Sequence, residues 1–223
     1  MLSVSEAVQA RRSTRAFLDK PVSLELLRRI LGAAAKSPSG GNLQPWNVHV
    51  MVGDDLAELK RKTRESLKGP REDGEFKVYP DLLPDKFNAR RKKNGEDLYA
   101  SIAVPREDKA GRLQQFARNY DFFGAPVGII FVIDRCFDKP QWVHLGMYIQ
   151  TVMLLAKEAG LGTCAQEAWS VWPKTVSGHL ELPANLVVYC GMSLGYADET
   201  HPINKFTTER MPLDEFATFR GFL

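Results

Sequence analysis

Apolar positions along the chain recur at helical spacing in four places and run together in three. Residues 3–12 predict a short helix, with Ser3 or Ser5 able to cap it and Val4, Ala7 and Val8 on one face. A second helix begins at Ser23, where Leu24, Leu27, Ile30, Leu31 and Ala34 form one stripe. Residues 46–52 alternate or run apolar and predict a strand, and a charged helix follows over 54–67. The run VGIIFVID at 127–134 is apolar enough for a central strand. Residues 143–160 are apolar nearly all round, the pattern of a helix buried in the middle of the molecule, and Gly160 and Gly162 end it. Residues 186–196 predict another strand, with Gly191 and Gly195 in or beside it.

The stretch 68–119 breaks this regularity. It is rich in charge, proline and glycine, and only Leu113, Phe116, Ala117 and Tyr120 keep helical spacing. Without an internal repeat or a low-complexity linker, the chain reads as a single domain over 1–223 with an elaborated helical excursion at 68–119. The fold class expected is α+β, helices around a small central sheet.

Composition narrows the function classes. The 223 residues are 44% hydrophobic and 26% charged, which excludes disordered, collagen-like and acidic-tail proteins. The net charge of +3 is uneven: residues 60–118 hold 16 basic and 10 acidic side chains, a net of +6, leaving −3 for the remainder. The run Arg90-Arg91-Lys92-Lys93 is too short, in a chain of such small charge, to predict nucleic-acid binding. The start of the chain lacks a basic region followed by an apolar run, and the most apolar helical stretch contains Gln150, Thr151, Lys157 and Glu158, so neither a secretory signal nor a membrane span is expected. Cys136, Cys164 and Cys190 are scattered and odd in number, which suits a reducing, cytoplasmic setting and small buried hydrophobes rather than disulfides. His49, His144, His179 and His201 form no metal-ligand spacing, and no metal is expected.

Four clusters carry chemistry. Arg11-Arg12-Ser13-Thr14-Arg15 places three guanidiniums and two hydroxyls just past a helix end, a set suited to phosphate. In the loop 37–46 (SPSGGNLQPW), two glycines let the backbone approach a flat ligand, and Asn42 and Gln44 offer donors and acceptors. The segment Gly160-Leu161-Gly162-Thr163-Cys164-Ala165 matches the dinucleotide fingerprint in letters but follows a helix and leads into extended chain, the reverse of that motif's context. Last comes GYAD at 195–198, with Arg210 on a C-terminal extended segment as a second phosphate ligand.

In combination and order, RRSTRAF, SPSGGNLQPW, GLGTC, GY.D and a final R.PL resemble the FMN-dependent nitroreductase family, on its nitrobenzoate-reductase side, over nearly the whole chain. The resemblance implies an intertwined homodimer of α+β subunits, with a central mixed or antiparallel sheet and two FMN molecules in the interface. Arg11, Arg12, Ser13 and Arg15 would hold FMN from one subunit, Arg11 and Arg210 at the phosphate and Arg15 beside the N1/O2 edge. Pro38, Ser39, Gly40, Asn42 and Gln44 would reach the same FMN from the other subunit. Glu167 and Ala168 match positions whose backbone lies near flavin N5. Thr208 stands where many relatives carry a lysine, which removes one phosphate cation.

The implied reaction is ping-pong: NADH or NADPH reduces the flavin, and a small nitroaromatic or quinone-like substrate then takes its place. No acid–base pair is needed, and no catalytic side chain is assigned. The excursion would cover the flavin, with Arg90, Arg91, Lys92, Tyr99, Phe116 and Tyr120 lining a positive channel that favours acidic substrates such as nitrobenzoates. Alternative readings are a flavin-dependent reductive dehalogenase, whose lid of Glu, Tyr and Lys has only Glu96 and Tyr99 as counterparts here, a flavin-cannibalising relative, and a non-enzymatic FMN-binding sensor.

Overall fold

A capping box opens the first helix, α1 (Val4–Ala10): the Ser3 hydroxyl accepts from the Glu6 N–H, and the Glu6 carboxylate accepts from the Ser3 N–H at 2.7 Å. The computed structural model describes residues 2–222, so positions 1 and 223 of the expected domain lie outside the described residues. Helix α2 (Leu24–Ala34) starts at its Ser23 cap and buries Leu27, Ile30 and Ala34. Leu24, expected on that stripe, is exposed. Strand β1 (Asn47–Val52) leads directly into α3 (Gly53–Ser66) through Gly53 in the left-handed region.

The excursion holds α4 (Asp85–Ala100) and α5 (Lys109–Ala117), and neither buries a residue. Strand β2 (Val127–Asp134) is followed by the long α6 (Lys139–Glu158), which starts four residues before the apolar pattern does because Asp138 and Gln141 form a second capping box. Gly160 at φ +78° closes α6, and β3 (Gly162–Gln166) begins at once. Helix α7 (Pro173–Leu180) and β4 (Leu186–Gly195) complete the framework.

The sheet order is β1-β2-β4-β3, antiparallel at every pairing, with one parallel bridge from Ser13 to Thr163. Both faces are covered. Ile129, Phe131 and Ile133 pack with α2 and α6, while Ile130 and Val132 pack with α3 and α7. Each such side chain, fully buried, contributes about 1.5–3 kcal/mol relative to exposure. Helix α6 is buried along Leu145, Tyr148, Ile149, Val152 and Ala156 only; Val143 and Met147 face out, contrary to the all-round burial its composition predicts. Cys164 and Cys190 are buried, whereas Cys136 is exposed. None of the described helices is long and apolar enough to cross a membrane.

Candidate functional site

After α1 the backbone turns extended at Arg11 (φ −67°, ψ 126°), so side chains alternate from there. Thr14 points inward against β3, and its N–H donates to the Thr163 carbonyl at 2.9 Å. Gly162 makes this approach possible: a Cβ there would lie 2.5 Å from the Thr14 hydroxyl oxygen. Arg12 turns to Glu199 and forms an ion pair. Arg11, Ser13 and Arg15 take the other side, where all three act on the Cys164 thiol in the direction of ionisation, although burial outweighs them and pushes its pKa up.

Arg11 has no carboxylate partner among the described residues. Burial and the neighbouring Arg210 guanidinium both hold its pKa below the ordinary arginine value. A partly buried guanidinium without a carboxylate partner is suited to an anion. Arg210 meanwhile folds its own guanidinium onto the Thr208 and Glu209 carbonyls, each at 3.0 Å. The C-terminal segment is tied back by Asn204, which is fully buried. Its Oδ1 accepts the Arg15 N–H at 2.8 Å, and its Nδ2 donates to the Ala16 and Asp198 carbonyls at 2.8 and 2.9 Å.

Beside this cluster opens a cavity of about 660 Å³. Arg15 and Cys164 to Ala168 form one wall, and the turn Glu167–Val171 carries it on to Trp172. The excursion forms the other, through Tyr79, Tyr99, Leu113, Phe116 and Tyr120. A cavity of this size and aromatic character suits a flat organic ligand. Burial pushes the Glu167 carboxyl up from 4.5. Gln166 donates to the Asn119 carbonyl at 2.8 Å, while its own buried Oε1 has no partner and remains free to accept.

Of the expected residues, Arg15, Glu167 and Ala168 border the cavity; Arg11 and Ser13 act on Cys164 in its wall without lining it, Arg11 borders a separate small cleft with Arg12, Thr14 and Glu199, and Arg210 does not border the cavity. The charge of Arg12, expected to join them, is committed to Glu199. Pro38, Ser39, Gly40, Asn42 and Gln44 lie apart: none borders the cavity. Their loop is shaped internally, with Gly41, Asn42 and Gln44 all at positive φ, the Gln44 N–H donating to Ser39 Oγ at 3.0 Å and the Gly40 N–H to His144 Nε2 at 3.4 Å.

Of the residues expected to line the channel, Tyr99, Phe116 and Tyr120 do so and Arg90, Arg91 and Lys92 do not. Arg90 reaches Glu215 at 3.4 Å, and Arg91 stacks behind the Tyr79 ring at 4.6 Å. On the excursion side the cationic wall residue is Arg71, which the sequence pattern did not single out. Asn204 and Gln166 were equally silent, being lone polar residues without a motif.

Comparison with known proteins points to one family. Residues 8–196 match the model of the Nitroreductase family. The chain is 38% identical to a 4-nitrobenzoate reductase of Pseudomonas putida, over 96% of this chain and 94% of the relative. It is 35% identical to a nitrobenzene nitroreductase of Ectopseudomonas oleovorans, over 97% and 96%. Among solved structures, an FMN- and NADPH-dependent nitroreductase from Sphigopyxis sp. strain HMH superposes with a TM-score of 0.96 at 42% identity, covering 99% of this chain and 100% of the other.

Proposed function

The chain belongs to the nitroreductase family, and from that premise we propose that it is an FMN-dependent oxidoreductase that uses NADPH to reduce nitroaromatic compounds, nitrobenzoates among them. The observation that carries the reading is an aromatic-lined cavity of about 660 Å³ walled by Arg15 and Cys164 to Ala168, with Arg11, which has no carboxylate partner among the described residues, acting on the same Cys164.

The residues present fit FMN. Arg11 and Arg210 hold its phosphate, with the Ser13 hydroxyl as an added donor. Arg210 exchanges its contacts with its own backbone for that anion. Arg15, fixed through its backbone by Asn204, brings a positive charge to the polar edge of the ring system. Cys164 to Ala168 would supply a wall for its ring system. When bound, FMN supplies the transfer of electrons from the nicotinamide to the nitro group. The protein's share is to hold the cofactor, shield it with Tyr99, Phe116 and Tyr120, and seat donor and acceptor in turn in one cavity.

The working form is a homodimer. The loop bearing Pro38, Ser39, Gly40, Asn42 and Gln44 is exposed and away from the cavity of its own chain, and it serves the cavity of a second copy. Val143 and Met147 on α6, with Val4 and Val8 on the adjacent α1, supply exposed apolar surface for that contact.

The purified protein is expected to carry a flavin absorption spectrum and to oxidise NADPH when a nitroaromatic acceptor is present. Protein that is colourless, and remains so after addition of FMN, overturns the reading.

A further inference from the structure

We propose that Arg71 is the residue that selects acidic nitroaromatics, by pairing with a carboxylate on the ring opposite the reacting nitro group. The inference rests on the nitroreductase reading and adds to it the group that recognises the substrate.

Only three of the cavity-lining residues, Arg15, Arg71 and Glu167, are charged. Arg15 sits by Cys164, in the half of the cavity assigned to the cofactor. Arg71 comes from the excursion and lines the cavity with Tyr120, whose phenol its charge biases toward ionisation against the larger effect of burial. Several of the basic residues around Arg71 are committed to carboxylates. Lys60 and Arg64 share Asp121, Arg61 pairs with Glu58, Lys68 with Glu65, Lys77 with Asp81, and Arg112 with Glu96. Arg71 has no carboxylate or hydrogen-bond acceptor among the described residues, and it faces the cavity. Arg71 is exposed at the cavity's edge, where an unpaired guanidinium offers a planar fork to a carboxylate, and the surrounding rings accommodate the arene.

The position of Arg71 is fixed by its neighbour. The Glu72 carboxylate accepts the N–H groups of Lys174 at 2.6 Å and Thr175 at 3.1 Å, at the start of α7, and so pins the segment beside Trp172. The basic run further on acts only indirectly: Arg91 backs the Tyr79 ring, and that ring lines the cavity.

The test compares kcat/KM for 4-nitrobenzoate and for nitrobenzene in the FMN-loaded wild-type protein and in Arg71→Gln and Arg71→Lys. The expected result is that Arg71→Gln lowers the acid-to-neutral ratio by about tenfold to a hundredfold, chiefly through KM for the acid, and that Arg71→Lys restores part of it. Equal losses on both compounds, or an unchanged ratio, overturn the proposal. So does a rise in KM confined to NADPH, which assigns Arg71 to a nicotinamide-cofactor phosphate instead. Failure of the underlying reading looks different, because the wild-type protein would then reduce neither compound.

Discussion

The backbone N–H of Arg15 donates to the side-chain Oδ1 of Asn204 at 2.8 Å, across 189 positions of sequence. Asn204 spends its remaining donors on the Ala16 and Asp198 carbonyls, so one buried amide joins the segment holding Arg11 to Arg15 to the C-terminal segment that delivers Arg210. Replacing Asn204 by Ala leaves the part-buried Arg15 N–H without an acceptor, while the Ala16 and Asp198 carbonyls keep the Asp198 and His201 N–H groups. The expected cost is about 1–3 kcal/mol, a fall in Tm of roughly 2–10 °C. Because the same contact fixes Arg15, FMN is also expected to bind more weakly. Thermal unfolding with and without FMN measures both, and an Asn204→Ala protein that melts with the wild type shows the amide to be dispensable.

Arg11 and Arg210 test the phosphate assignment separately from the ring. Arg11→Gln removes one of the two cations proposed for the phosphate, and the charge-assisted bonds it offers are each worth about 1.5–3 kcal/mol. FMN affinity should fall about tenfold to a hundredfold, whereas riboflavin, which lacks the phosphate, should bind the variant and the wild type alike. Fluorescence titration of both ligands distinguishes the cases. Equal weakening of both ligands means that Arg11 holds the loop rather than the anion.

Much of this framework was legible in the residues themselves. Ser3 and Ser23 announced their helices because a hydroxyl before an apolar stripe has a defined use at a helix start. The run at 127–134 announced a strand covered on both faces, and its inner residues are buried throughout. The context of Gly160 and Gly162 excluded a dinucleotide motif, and the structure gives each glycine another purpose, a helix end and a close approach to Thr14. What stayed hidden was the direction of side chains in segments with weak periodicity. Helix α4 buries nothing, so no apolar stripe indicated which way Arg90, Arg91 and Lys92 face. The division between Arg11 and Arg12 depended on where extended backbone begins, a boundary that local sequence defines poorly.

Glu167 predicts a pH dependence with a definite sign. Burial raises its carboxyl above 4.5 in the folded protein. The folded state therefore binds this proton more tightly than the unfolded chain does. Stability from this group is retained at low pH and is lost as pH rises from 4.5 through the raised folded-state value. Glu167→Gln removes the titration. Its stability advantage over the wild type should grow across that window and then level off. Urea midpoints of both proteins between about pH 4 and about pH 8 supply the comparison, and parallel profiles count against a desolvated carboxyl.

The anchor at Glu72 can be tested without reference to turnover. Its carboxylate accepts from the N–H groups of both Lys174 and Thr175, donors that the first turn of α7 cannot satisfy within the helix. Glu72→Ala leaves those two amides to water and frees the stretch carrying Arg71 and Tyr79 from α7. The loss is comparable to removal of a helix cap, about 1 kcal/mol, and it is local, because α7 keeps Pro173 and Val176 buried. Hydrogen exchange at Lys174 and Thr175 should accelerate about tenfold or more, with the amides of β2 and β4 unchanged. If instead exchange rises throughout the sheet, Glu72 supports the whole fold and not the cavity wall alone. If exchange at Lys174 and Thr175 is unaltered, the segment is held by other contacts, such as the Phe76 ring against Trp142 at 5.0 Å.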